Sequence, residues 1–217
     1  SLKAIFFACV TIVSAISFAV LLFNQPEFVV WMLPVAAITA LIFGVVASFA
    51  PSTVHITGTV YCVLQGAVVG VVSAFVEVNY QGVVLSALLS TLGVFMVMML
   101  LYSTGVIKVG QKFRSFMLTA LISIVLLSLV LGLVSMFNQG LREQLWGNGP
   151  LALGISVLMI LLASLFILVD LSRIDEIVKS GLDSKYEWIA SFGLIVTLIW
   201  LYIEMLRFFM ILSSRRN

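Results

Sequence analysis

The chain has 217 residues, 63% of them hydrophobic and only 9% charged, with a mean hydropathy of +1.27. That composition excludes a soluble globular domain, and a formal net charge of +2 from scattered basic residues offers no surface for nucleic acid. Apolar runs of about twenty unbroken positions also exclude an outer-membrane barrel, whose strands alternate polar and apolar residues, and leave an all-α membrane protein.

Seven membrane helices of about 20 residues would use about 140 positions and leave about 77 for loops and ends. The apolar runs predict spans over Ala4–Phe23, Phe28–Ala50, Val54–Val76, Val83–Gly105, Ser115–Phe137, Pro150–Leu171 and Trp188–Ser213, a single membrane domain over 1–217. The first run lacks a small-residue cleavage site and reads as a retained signal anchor, and a start at Ser1 fits an amino terminus that is longer or processed. Breaks fall at Asn24 to Glu27, Pro51 to Thr53 and Glu77 to Gln81, all rich in helix-stopping residues. Pro34, inside the second span, should bend it by removing a backbone hydrogen bond.

Small residues recur every fourth position in two spans: Ala36, Ala40, Gly44 and Ser48 in the second, and Gly58, Cys62, Gly66, Gly70 and Ala74 in the third. Such stripes let helix backbones approach closely in lipid; a pore lined by small residues is the sharper alternative. Cys9 and Cys62 both fall in apolar runs, where a thiol behaves as a small hydrophobe, so neither a disulfide framework nor a zinc site is readable.

The sixth span does not stop at the bilayer. Apolar residues at Leu171, Ile174, Ile177 and Val178 keep helical spacing until Ser180-Gly181 ends the helix, and the next helix can start at Asp183 or Ser184. Folding this hairpin about Leu182 sets Asp170 opposite a window containing Thr197.

Loop charges predict orientation. Lys3, Lys108, Lys112, Arg114, Arg173, Lys179 and Lys185 fall on one side, against Arg142, Arg215 and Arg216 on the other, which puts the amino terminus in the cytoplasm and the carboxyl terminus outside. If the seventh segment does not cross, the carboxyl terminus is cytoplasmic instead.

Ionisable groups within lipid cost about 2.5–3.5 kcal/mol each on insertion scales, so they are the first functional candidates. The chain has three: Asp170, Glu204 and Arg207. Asp170 reads either as a desolvated functional carboxylate or as an interfacial one paired with Arg173, three residues on. Glu204 and Arg207, also three apart, either neutralise each other structurally or place Glu204 on an ion path with Arg207 setting its charge. Glu204 lies about 15 Å along the helix from the position facing Asp170, so the two acids do not pair. His55, the one histidine, reads as a solvated loop residue rather than a pH sensor. The chain has no nucleotide-binding glycine loop, zinc-binding helix motif or nucleophile flanked by a base, and the expectation is a non-enzyme without a cofactor.

Leu165-Phe166-Ile167-Leu168-Val169-Asp170-Leu171, followed by the stretch from Thr197 to Phe209 that contains Glu204-Met205-Leu206-Arg207-Phe208-Phe209, resembles the Bax inhibitor-1 family. The likeness is most specific over 160–213. It implies six helices bundled around a central seventh, and a role as a pH-sensitive calcium leak or stress-survival protein. In that family the sixth-span aspartate faces a second aspartate on the seventh helix; two carboxylates sharing a site cannot both ionise freely, and protonation becomes a latch. Asp170 matches the first member, whereas the second position falls on Thr197, which cannot ionise. The family's acidic and basic pair in the second and third helices has no counterpart here.

The expected function is therefore a divergent, bacterial inner-membrane cation leak, with calcium as the transported ion. Asp170 is its gate and transient calcium contact, Thr197 the hydrogen-bond partner, and the pH response is either weaker or runs through Glu204. Glu27 and Glu77 could draw in divalent ions, though the plainer reading is two solvated loop charges. The alternative is a non-transporting modulator of a membrane protease or other membrane complex, docking through Ile174, Ile177 and Val178. A proton-coupled transporter would need inverted repeats, and none is visible.

Overall fold

A computed structural model describes residues 2–147 and 149–215. Among them are eight helices and no strand: α1 (Leu2–Asn24), α2 (Pro26–Phe49), α3 (Val54–Asn79), α4 (Val83–Ser103), α5 (Gln111–Phe137), α6 (Gln139–Trp146), α7 (Pro150–Ser180) and α8 (Ser184–Ser214). All but α6 are long and apolar enough to cross a membrane. The predicted spans are thus present, and α6 is an addition in what reads from sequence as a loop. Its cause is local: Asn138 caps it, the Oδ1 accepting from the Leu141 N–H at 3.2 Å, and Gly147 follows it.

Two other local expectations change. His55 lies in the first turn of α3, exposed as expected but helical. Glu77 is no solvated loop charge. It sits in the last turns of α3 and its carboxylate accepts from the Gly82 N–H at 2.8 Å and the Val84 N–H at 3.2 Å, satisfying amides that α4 leaves without intrahelical partners. Gly82, at φ +80°, makes the reversal possible. Helix α2 continues through Pro34. Helix α7 runs to Ser180 and ends at Gly181, whose φ of +61° is the left-handed stop predicted there. Arg215 is exposed, and Arg216 lies outside the described residues.

The chain forms two compact units: one of the residues up to Val84 with Arg173–Ile199, the other of Leu85–Ser172 with Trp200 onward.

In the first unit, α1 packs against the small-residue stripe of α3. A Cβ on Gly66 would collide with the Thr11 carbonyl oxygen, and one on Gly70 with that of Ala15. The Ser14 hydroxyl donates to the Val63 carbonyl oxygen at 2.6 Å across the same contact. The stripe is therefore a packing seam, as close backbone approach in lipid requires. Phe7, Val54, Cys62, Phe192 and Ile195 form the core beside it, with Phe7 edge-on to Trp188 and Tyr61 edge-on to Phe192 at centroid distances of 5.3 and 5.1 Å. Leu22, Val29 and Val71 fill the far end. Lys3 joins the start of α1 to the start of α8: its Nζ donates to the Ser184 carbonyl at 2.9 Å and lies 2.8 Å from the Glu187 carboxylate.

In the second unit, Met117, Leu162 and Phe166 bring α5 and α7 together, and Phe166 meets the Trp200 ring of α8 at 6.1 Å. The remaining face of α5 is bare. Phe116, Leu118, Ile122, Val125, Leu126, Leu129 and Leu133 are all exposed. A continuous apolar face of that length is stable against acyl chains and not against water.

Candidate functional site

The carboxylates singled out from sequence are both withdrawn from the surface. Asp170 is 8% exposed on α7 and Glu204 8% exposed on α8, whereas charged side chains are almost never buried without compensation. Asp170 belongs to the second unit and Thr197 to the first. Thr197 is buried too, and its hydroxyl donates to the Gly193 carbonyl oxygen at 3.1 Å, one turn back along α8. Arg173, considered as a partner for Asp170, is exposed. Further along α7, Lys179 pairs with Asp175 at 2.6 Å.

Beside Asp170 the structure adds a residue that sequence reading assigned only to topology. Arg114, in the first turn of α5, is half-buried, and its Nη2 donates to the hydroxyl of Ser172 at 2.5 Å. Ser172 is itself buried, two residues after Asp170. A guanidinium is thus anchored to the α7 segment that carries the acid. The available signal was position: Arg114 directly precedes the apolar run of α5 and so has to sit at the membrane boundary.

Glu204 has neighbours on both sides along α8. The Trp200 indole, one turn earlier on α8, hydrogen-bonds to its carboxylate, and the charge of Arg207 acts on it from three residues on. Glu204 Oε2 is buried without a hydrogen-bond partner among the described residues. Arg207 does not spend itself wholly on Glu204, because its Nη2 donates to the Leu145 carbonyl oxygen of α6 at 2.7 Å. The Trp200–Glu204 spacing of four was legible in the sequence; the Leu145 carbonyl was not, because backbone acceptors carry no signature.

Among the described residues no three His, Cys, Asp or Glu side chains gather to hold a metal ion.

Seven apolar spans, with two buried carboxylates on the last two, define an integral membrane protein of helical type. Its family is equally plain: residues 2–214 match Bax inhibitor 1 like, and the chain belongs to that family. Comparison with curated proteins gives no match.

Proposed function

We propose that this protein is a cation leak, with calcium as its ion, in a bacterial inner membrane, serving ion homeostasis or stress survival. Asp170 acts as gate and transient ion contact, and Glu204 with Arg207 lies on the path. Thr197 occupies the place where resembling proteins carry a second aspartate. The observation that carries this reading is the burial of Asp170 and Glu204, each 8% exposed, on helices that cross the membrane. Carboxylates kept inside spans at such desolvation cost mark ion pathways more often than scaffolding. The amino terminus is placed in the cytoplasm by the excess of Lys and Arg on its side.

The test is calcium entry into liposomes carrying the purified protein, from mildly acidic to mildly alkaline pH, for wild type and Asp170→Asn. A pH-dependent leak altered by the substitution supports the reading. Flux equal to that of empty liposomes at every pH refutes it.

A second reading, a modulator of another membrane complex, draws on one observation: at the tip of α7, Val178 is 62% exposed, and with Ile174 it lines a cavity of about 270 Å³ that Leu2, Lys3, Glu187 and Ser191 complete. On that reading Ile174→Asp abolishes recovery of the partner complex and leaves liposome flux as it was; unchanged recovery counts against it.

A further inference from the structure

Helix α6 has eight residues, too few to be stable in isolation. Something must hold it, and both apolar and polar contacts are at hand. Leu145 is buried and Leu141 half-buried, while Arg142, Glu143 and Gln144 are exposed. Part of the hold is polar. The last four carbonyls of a helix lack intrahelical donors and carry the negative end of its dipole. In α6 the Glu143 carbonyl accepts from the Gly147 N–H at 2.9 Å, and the Leu145 carbonyl accepts from Arg207 at 2.7 Å. The second bond is charge-assisted, crosses 62 residues of sequence and joins α6 to α8 within the second unit.

Arg207 lies one turn beyond Glu204 on α8, and Glu204 Oε2 is buried without a hydrogen-bond partner among the described residues. The order along this part of the unit is therefore α6, then the guanidinium, then the acid. Asn138 separates α6 from α5 as a single residue of extended backbone, a point about which α6 can turn.

We propose that α6 is a movable cover over the Glu204 carboxylate, held shut by the Arg207 guanidinium on the Leu145 carbonyl oxygen. With the cover seated, Arg207 is shared between α6 and the acid, and the acid is closed off from its end of the unit. With the cover lifted, Arg207 loses the Leu145 carbonyl and Glu204 becomes reachable from water. This deepens the assignment of Glu204 to the ion path and rests on it for its purpose, although the cover itself is a structural claim.

The experiment is hydrogen exchange of the α6 amides in lipid nanodiscs, combined with labelling of Glu204 by a water-soluble carbodiimide. Arg207→Gln is expected to speed α6 exchange by about tenfold, as loss of one charge-assisted bond implies, and to raise Glu204 labelling, with the amides around Met117 in α5 unchanged. Arg207→Lys should recover part of the protection. Leu145→Ala, which weakens the apolar seat of α6 and adds no charge beside Arg207, should also raise Glu204 labelling. The double variant Glu204→Gln with Arg207→Gln separates the tie from the charge: α6 must still loosen. Unaltered α6 exchange in Arg207→Gln, or loosening in the single variant that disappears in the double, overturns the cover. Neither measurement uses calcium, so absence of flux in liposomes would remove the leak and leave the cover standing, and unaltered exchange would do the reverse.

Discussion

Lys3 Nζ lies 2.8 Å from the Glu187 carboxylate across 184 positions of sequence, with the lysine side chain 17% and the glutamate 38% exposed. The same ammonium donates to the carbonyl and the hydroxyl of Ser184 at 2.9 and 2.5 Å, and stands 5.4 Å from the Trp188 ring centroid. One cation thus ties the first turn of α1 to the first turn of α8. It also agrees with the grouping of Lys3 and the α7–α8 turn on one side of the membrane.

Lys3→Met should cost about 1 kcal/mol, since a half-solvated ion pair contributes little by itself and the bonds to Ser184 contribute most of the rest. Thermal unfolding in detergent reads the loss as a lower Tm. The charge exchange Lys3→Glu with Glu187→Lys should restore only part of it, because the reversed pair cannot donate to the Ser184 carbonyl.

Gly70→Leu should be far more damaging than the lysine change. A Cβ alone would already collide with the Ala15 carbonyl, so α1 and α3 must separate along their whole seam. Overpacking of this kind costs about 1–3 kcal/mol or more. Gly93→Leu, on α4 where an added Cβ meets nothing within contact distance, is the control and should leave Tm close to wild type. Equal losses at both positions would show that the α1–α3 seam is not the tight one.

Glu77→Ala removes both acceptors for the Gly82 and Val84 amides. Caps of this type contribute about 1 kcal/mol, and the loss should appear as faster hydrogen exchange in the first turn of α4. Glu77→Gln keeps one acceptor oxygen and should fall between the two. A pure steering role predicts the opposite pattern, with calcium flux lowered and α4 exchange untouched.

Thr197→Asp introduces the acid that the resemblance to the Bax inhibitor-1 family implies at this position. On the proposed leak, an added titratable carboxylate should give a steeper change of calcium flux with pH than wild type. Identical pH profiles would mean that position 197 does not report to the gate. Asp170→Asn in the same background should flatten the profile again.

Much of this architecture is readable without coordinates because hydropathy and helix punctuation are local. Seven apolar runs, the Ser180-Gly181 stop beyond Asp170 and the four-residue stripe of α3 each depend on residues within a turn or two of one another, and the structure keeps them all. The family resemblance was legible for the same reason, since it rests on contiguous stretches around Asp170 and from Thr197 to Phe209. Burial of Glu204 could be anticipated from its place in an apolar run.

The contacts made between elements could not. Glu77 reads as a loop charge until the chain reverses at Gly82 and brings two amides to it. Arg114 reads as a topology marker until α5 meets α7 at Ser172. Arg207 reads as the counter-ion of Glu204, and only the approach of α6 adds the Leu145 carbonyl to it. In each case the deciding acceptor or donor is a backbone group or a hydroxyl on another element. Such groups are present at every position and select nothing by residue type, so only the approach of one helix to another determines which charge they satisfy.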